Sequence, residues 1–297
     1  MVTGFSARLG ALALAGLLVV ASPLAGFADE TAVLPDTSRV VSIGGAITEI
    51  VFALGEEKML VARDSTSVYP EAALALPDVG YMRQLSPEGV LSVNPTGILA
   101  LSGSGPKEAV DVLKKASVPY VEIKESFDHS GIVDRVRMVG KAIGAGAKSE
   151  VLADQIDAKL QEAEKLTAGV TERKRVLFIL SMQGGKIQAA GANTAANGII
   201  ELAGGVNAVQ GYSGYKQLTD EAAIEANPDV ILMMTRGGDH GASEAELFAH
   251  PAIAATPAGA ARRLIKMDGA YLLGFGPRTA DAIKDVATAL YGGAAGN

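Results

Sequence analysis

The 297-residue chain has no cysteine, which removes several chemistries at once. It offers no thiol nucleophile, thiolate zinc site or iron–sulfur cluster. It has no disulfide and no cysteine on which a lipoprotein anchor could be built. Histidine is scarce, with three scattered residues, His129, His240 and His250. Transition-metal carriers gather several histidines and carboxylates, so this chemistry is disfavoured; surface positions account for the three. Lys and Arg total 26 against 33 Asp and Glu, for a formal net charge of −7, and no basic cluster appears. Nucleic acid and anionic lipid need clustered cations, so neither is expected as the main partner. The sequence also lacks a Gly-x-Ser-x-Gly elbow, a His-Glu-x-x-His motif and a P-loop, which leaves an exported enzyme as a weakly supported alternative. The glycine pairs at 44–45 and 184–185 follow strand-like runs and read as turn formers.

No apolar run is long enough to span a bilayer. The longest, 9–21, is interrupted by Ser22 and Pro23, short of the roughly 20 residues a spanning helix needs. Arg8 ahead of it and the small residues Gly26 and Ala28 behind it give the pattern of a signal peptide, residues 1–28, cleaved near Ala28. The mature chain is expected to be exported, freely soluble and not membrane-inserted.

What is present is ample apolar content, 48%, arranged as short apolar runs alternating with helix-like stretches, the pattern of α/β units. Strands are expected at 39–43, 59–62, 98–101, 120–123, 175–180, 230–234 and 264–267. Helices are expected at 46–54, 86–93, 199–204 and 280–291, with a polar loop at 63–70. In 147–170, Leu152, Ile156, Leu160 and Leu166 fall at mainly helical intervals with no proline or glycine before Gly169, which predicts one long helix.

The most informative feature is a duplication. Residues 85–99 are echoed by 218–232 at a constant offset of 133, pairing Leu85 with Leu218, Ser86 with Thr219, Glu88 with Glu221, Asn94 with Asn227 and Pro95 with Pro228. Two copies are too few for a solenoid, which needs about three repeats, so the duplication points to two facing lobes. Clefts between lobes are preferred ligand sites. The expected fold is α/β: two similar α/β lobes, each with a mainly parallel central sheet, joined by one long α-helix, with the ligand cleft between lobes. The boundaries are a signal peptide at 1–28, an N-terminal lobe at 29–146, a linking helix at 147–171 and a C-terminal lobe at 172–297. A stiff linking helix implies little closure.

Three stretches carry a resemblance: Arg63-Asp-Ser-Thr-Ser-Val-Tyr-Pro70, Met234-Thr-Arg-Gly-Gly238 and Tyr271-Leu-Leu-Gly-Phe-Gly-Pro-Arg278. With the duplication they make the chain resemble the periplasmic substrate-binding proteins of ABC importers, in the class that serves vitamin B12, siderophores and haem, and within it the haem (hemin) binders. The resemblance implies a periplasmic monomer that captures ferric haem as cargo, with no catalytic cofactor. It would deliver the haem to an ABC importer permease with its cytoplasmic ATPase. By the same resemblance Tyr69 is the axial ligand of the haem iron and Arg236 approaches from the second lobe. Tyr271 could line the cleft, while Arg278 reads as structural. Glu88 and Glu221 would dock on permease arginines, one per lobe. A phenol titrates near 10 in water, and a ferric centre favours its deprotonated oxygen, so tyrosine suits iron(III) haem. Some related haem binders supply a second-lobe histidine; here 181–185 has none, which counts against a second haem, and Met182 reads as packing. A siderophore or cobalamin carrier fits the fold equally well and differs at the cleft, where those ligands need no phenolate.

Overall fold

The computed structural model describes residues 1–2, 32–235 and 243–292, and from Thr31 onward the chain forms one compact unit. The expected signal peptide lies, apart from its first two residues, outside the described part.

Strands β1 (Val40–Ile43), β2 (Leu60–Arg63), β3 (Gly97–Leu101) and β4 (Tyr120–Ile123) form a sheet in the order β2-β1-β3-β4. Every pairing in it is parallel. Each residue of β1 and β3 is buried, which is why these strands read as near-continuous apolar runs, broken only by Ser42, rather than alternating ones. Further along lie β5 (Arg175–Gln183), β6 (Lys186–Ala190), β7 (Val206–Asn207), β8 (Tyr215–Leu218), β9 (Val230–Thr235) and β10 (Leu264–Asp268). They form a second sheet in the order β10-β9-β5-β6-β8, with β7 beside the start of β5. Its β10-β9-β5 half is parallel, whereas β5-β6 and β6-β8 are antiparallel. The second sheet is thus mainly parallel, as expected, with one antiparallel edge. Gly184 and Gly185, both at positive φ (56° and 75°), supply the tight reversal that turns β5 back into β6.

The duplicated segment folds the same way twice. Ser86 caps the helix Pro87–Leu91, and Thr219 caps the helix Asp220–Ala226. Asn94 and Asn227 take left-handed φ of 50° and 43°, a conformation asparagine tolerates better than most residues. Each chain then enters a strand inside a sheet, β3 or β9. One arginine closes each copy. Arg39 donates from Nε to the Asn94 carbonyl and from Nη2 to that of Val93, while its backbone N–H reaches Thr96 Oγ1. Arg175 donates twice to the Ala226 carbonyl, at 3.0 and 2.8 Å, and its backbone N–H reaches Asp229 Oδ2. Both guanidinium groups satisfy carbonyls that the end of a helix leaves open.

The long helix runs Gly146–Lys165, five residues shorter than predicted at its C-terminal end. There the backbone tightens into i→i−3 bonds, Leu166 to Ala163 and Thr167 to Glu164, a common way for a helix to finish. It buries Ala153, Ile156, Leu160 and Ala163 and packs against the helices His129–Ala142 and Thr279–Tyr291. Where it meets the first, a Cβ on Gly140 would lie 2.1 Å from that of Ser149, so only glycine fits the crossing.

One apolar core runs from β1 and β3 through these helices to Val176, Phe178, Val230 and Leu232 of the second sheet. A smaller core on the other side of the second sheet includes Met182, consistent with a packing role for that residue. The seam between the lobes is tight. A Cβ on Gly198, in the helix Ala195–Leu202, would lie 2.2 Å from the Phe127 carbonyl oxygen, and the Phe127 and Phe275 rings meet edge to face at 5.1 Å. The wholly buried Arg135 donates to the carbonyls of Phe275 (2.6 Å) and Ser126 (3.2 Å).

Candidate functional site

At the C-terminal ends of β1 and β2, the expected binding loop is fastened by a buried carboxylate. Asp64 is fully buried and accepts four hydrogen bonds. Oδ1 receives the Gly44 N–H at 2.9 Å and the Ser67 hydroxyl at 2.8 Å; Oδ2 receives the Thr66 N–H at 3.0 Å and the Thr66 hydroxyl at 2.7 Å. Thr66 Oγ1 also accepts from the Gly45 N–H at 3.0 Å. Ser67, Thr48 and Ser42 continue as a chain of hydroxyls at 2.6 and 2.7 Å. The Asp-Ser-Thr-Ser run is therefore the fastening that ties the loop to the start of the helix Gly45–Ala53. On the other side, Arg63 pairs with Asp78 at 2.9 Å, and Asp78 receives the Ser65 hydroxyl.

The fastened loop presents Tyr69, which is 44% exposed and whose hydroxyl has no partner among the described residues. Against its ring lies Arg278, with the guanidinium carbon 3.6 Å from the ring centroid. The same carbon is 5.4 Å from the ring of Tyr271. Arg278 grips Glu49 through both Nε (3.0 Å) and Nη2 (3.0 Å), and its backbone N–H adds a third bond at 3.2 Å. A planar guanidinium suits this double grip on a carboxylate and stacks on aromatic faces as well.

The structure thus brings Tyr69 and Tyr271 together around one cation. The two hydroxyls differ. That of Tyr271 donates to Asp285 Oδ2 at 2.9 Å, and burial, then this bond and the Asp285 charge, push its titration above the ordinary tyrosine range. Arg278, expected to be structural, does hold structure and also sits on the face of Tyr69. Its partner Glu49 lies 229 positions away, so the only local signal was its place at the end of the Tyr271–Arg278 stretch. Arg236 and His240 lie outside the described residues. Glu88 and Glu221 sit exposed in the first turns of the duplicated helices, and neither carboxylate has a side-chain partner among the described residues.

Beyond β4 is a second polar group near the lobe boundary. Glu125 is half-buried; burial raises its titration, while the Arg135 and Arg83 charges pull it back. Tyr215 of the second lobe is raised by burial and feels the same Arg83 and Glu125. The two remaining histidines, expected at surface positions, are partly buried and hydrogen-bonded. His129 bridges Asp157 at 2.8 Å and Glu164 at 2.9 Å, and His250 bonds the Gly185 carbonyl at 2.9 Å. A surface cavity of about 270 Å³ lies elsewhere, lined by residues including Phe127, Asp128, Glu164, Arg173 and Glu201; it contains none of the tyrosines. Among the described residues no group of His and carboxylates could hold a metal ion, and no helix is long and apolar enough to cross a membrane.

The loop of Tyr69 stands at the carboxyl ends of parallel strands, where open α/β sheets hold their ligands. The chain belongs to the periplasmic binding protein family, whose profile matches residues 40–271. Among solved structures it is similar to the periplasmic heme-binding protein RhuT from Roseiflexus sp. RS-1, in apo form, at 38% identity and TM-score 0.81 over 86% of this chain and 98% of that one. It is also similar to the periplasmic heme-binding protein BhuT in complex with two hemes, at 39% identity and TM-score 0.80 over 85% and 97%. Among curated relatives, an uncharacterized ABC transporter substrate-binding lipoprotein, YvrC of Bacillus subtilis, is 26% identical over 206 residues, 68% of this chain. A vitamin B12-binding protein of Yersinia pestis is 35% identical over 81 residues, 27% of this chain. The match spans 65% of YvrC and 29% of the vitamin B12-binding protein.

Proposed function

We propose that this protein captures ferric haem between its lobes, with Tyr69 as axial ligand of the iron, and delivers it to the permease of an ABC importer driven by a cytoplasmic ATPase. The observation that carries the reading is the unoccupied hydroxyl of Tyr69 on a fastened loop, beside a tyrosine whose hydroxyl is already taken. Iron(III) binds a phenolate oxygen well, and the nearby guanidinium carries charge complementary to it. RhuT and BhuT, named as heme-binding, are similar along nearly their whole length. Arg236 and Tyr271 are assigned to the same cleft. The chain is read as a periplasmic monomer, exported by a signal peptide cleaved near Ala28.

Hemin titration of the purified protein, followed by visible spectroscopy, tests the reading. One equivalent is expected to bind, with the Tyr69→Phe variant losing the spectrum. A wild type that ignores hemin ends the assignment. An equivalence point at two would instead follow BhuT, which was solved with two hemes. Because of the vitamin B12-binding relative, cobalamin belongs in the same titration, and its binding in place of hemin would favour that second reading. For Glu88 and Glu221, charge reversal of both is expected to impair uptake in cells while hemin binding stays intact, since complementary charge mainly speeds and orients docking. Lost hemin binding in that double variant would move the pair from docking to folding.

A further inference from the structure

Tyr69 and Arg278 come from opposite ends of the chain, yet one element positions both. The first residues of the loop–helix junction, Gly44 and Gly45, donate their N–H groups to Asp64 and Thr66 and so fix the Tyr69 loop. One turn further along the same helix, Glu49, 8% exposed, takes three hydrogen bonds from Arg278. The approach of the C-terminal strap is close: a Cβ on Gly276 would meet Ala46 Cα and Glu49 Cδ, each at 3.5 Å. The guanidinium carbon then stands 3.6 Å from the centre of the Tyr69 ring. Its Nη1 has no hydrogen-bond partner among the described residues, so one donor edge stays available.

We propose that Arg278 is the positioning residue for the iron ligand: clamped by Glu49, it backs one face of the Tyr69 ring and leaves the hydroxyl as the free end facing the ligand. The proposal rests on the haem reading above. It makes Glu49, Arg278 and Tyr69 a single relay from the first helix through the second half of the chain to the ligating oxygen. Its chemistry depends on a planar cation. A lysine at 278 would keep the charge but could neither grip both carboxylate oxygens nor stack flat on the ring.

Hemin titrations with visible and electron paramagnetic resonance spectra on wild type, Arg278→Met, Arg278→Lys and the double variant Glu49→Gln/Arg278→Met test the proposal. Arg278→Met is expected to weaken hemin binding about tenfold or more and to shift the phenolate-to-iron charge-transfer band, with Arg278→Lys in between. Because the single Met variant strands a buried carboxylate and could fail to fold, the double variant, which removes both charges, decides the matter if it does; it is expected to show the same band shift with a wild-type circular dichroism spectrum. Folded variants whose affinity stays within about twofold of wild type and whose spectra superimpose on it would overturn the role of Arg278 while leaving Tyr69 as ligand. A wild type that takes up no hemin would overturn the haem reading, and this proposal with it.

Discussion

The two lobes share a frame and differ along one edge. In both, a capped short helix leads through an asparagine at positive φ and a proline into an inner strand, and an arginine at the start of the neighbouring strand or just before it bonds carbonyls at or just past the helix end. Beside β1 the first lobe places the parallel strand β2 and, after it, the loop of Asp64 and Tyr69. Beside β5 the second lobe places the antiparallel strand β6, entered through the Gly184–Gly185 turn. Shared parts thus build the lobes, and the unshared edge holds the side chain proposed to meet the ligand. The contrast matches the physics, since the frame is constrained by burial on both sheet faces while an edge can be replaced without disturbing the core.

That comparison breaks most visibly at Tyr69. Phenylalanine there keeps the ring stacked on Arg278 and removes only the oxygen proposed to ligate the iron, so hemin affinity is expected to fall by on the order of a hundredfold with little change in unfolding midpoint. Next in size is Asp64→Ala. It strands the N–H groups of Gly44 and Thr66, and unmade bonds of this kind cost ~1–3 kcal/mol each. Chemical denaturation should show a loss of about 3 kcal/mol, and hemin binding should fall with it as the loop loosens. The shared frame is sharpened by a matched pair, Arg39→Ala and Arg175→Ala. Each removes hydrogen bonds from a charged donor, and a loss of ~1–2 kcal/mol is expected for each. Arg175, with its bonds partly buried, should lose the more; a wide disparity in favour of Arg39 would mean the two clamps are not equivalent.

The smallest effect concerns an ionic tie of the first lobe. His129, at the start of its helix, joins Asp157 and Glu164 of the long helix. Partial burial works against its charge, but the hydrogen bonds it donates to Asp157 and Glu164, then their charges, outweigh burial and raise its titration above the usual 6.5. A raised histidine stabilises the fold fully below its unfolded value and loses that contribution as pH climbs through the folded one. The stability gap between wild type and His129→Gln is therefore expected to be largest below pH ~6.5 and to shrink in alkali. A gap that grows with pH would refute the ionic tie. The second lobe's His250 bonds the Gly185 carbonyl at 2.9 Å and stands 3.9 Å from Asp220.

Much of this was legible in the sequence because the signals are local. The Asn-Pro pairs end helices through backbone sterics, and the apolar runs 40–43 and 98–101 announce strands buried on both faces. The Asp-Ser-Thr-Ser-x-Tyr stretch names its loop, although the task of each residue in it appears only once Gly44 and Gly45 are seen to donate to that loop. What stayed hidden depends on partners far apart in the chain. Arg278 meets Glu49 from 229 positions away, and Arg135 meets the Phe275 carbonyl 140 positions on. The ties of His129 are equally non-local, because its two carboxylates sit on another helix. The antiparallel edge of the second sheet was missed for a related reason: the glycine pair at 184–185 marks a turn but does not say which strand returns.

The seam around Arg135, Phe275 and Gly198 has a thermodynamic consequence. A core shared by both sheets and closed by a buried guanidinium cannot be opened one half at a time without exposing Ile132, Phe178 and Phe275 together. Melting is therefore expected to be a single cooperative transition rather than two, so that damage in either lobe is felt by the whole molecule.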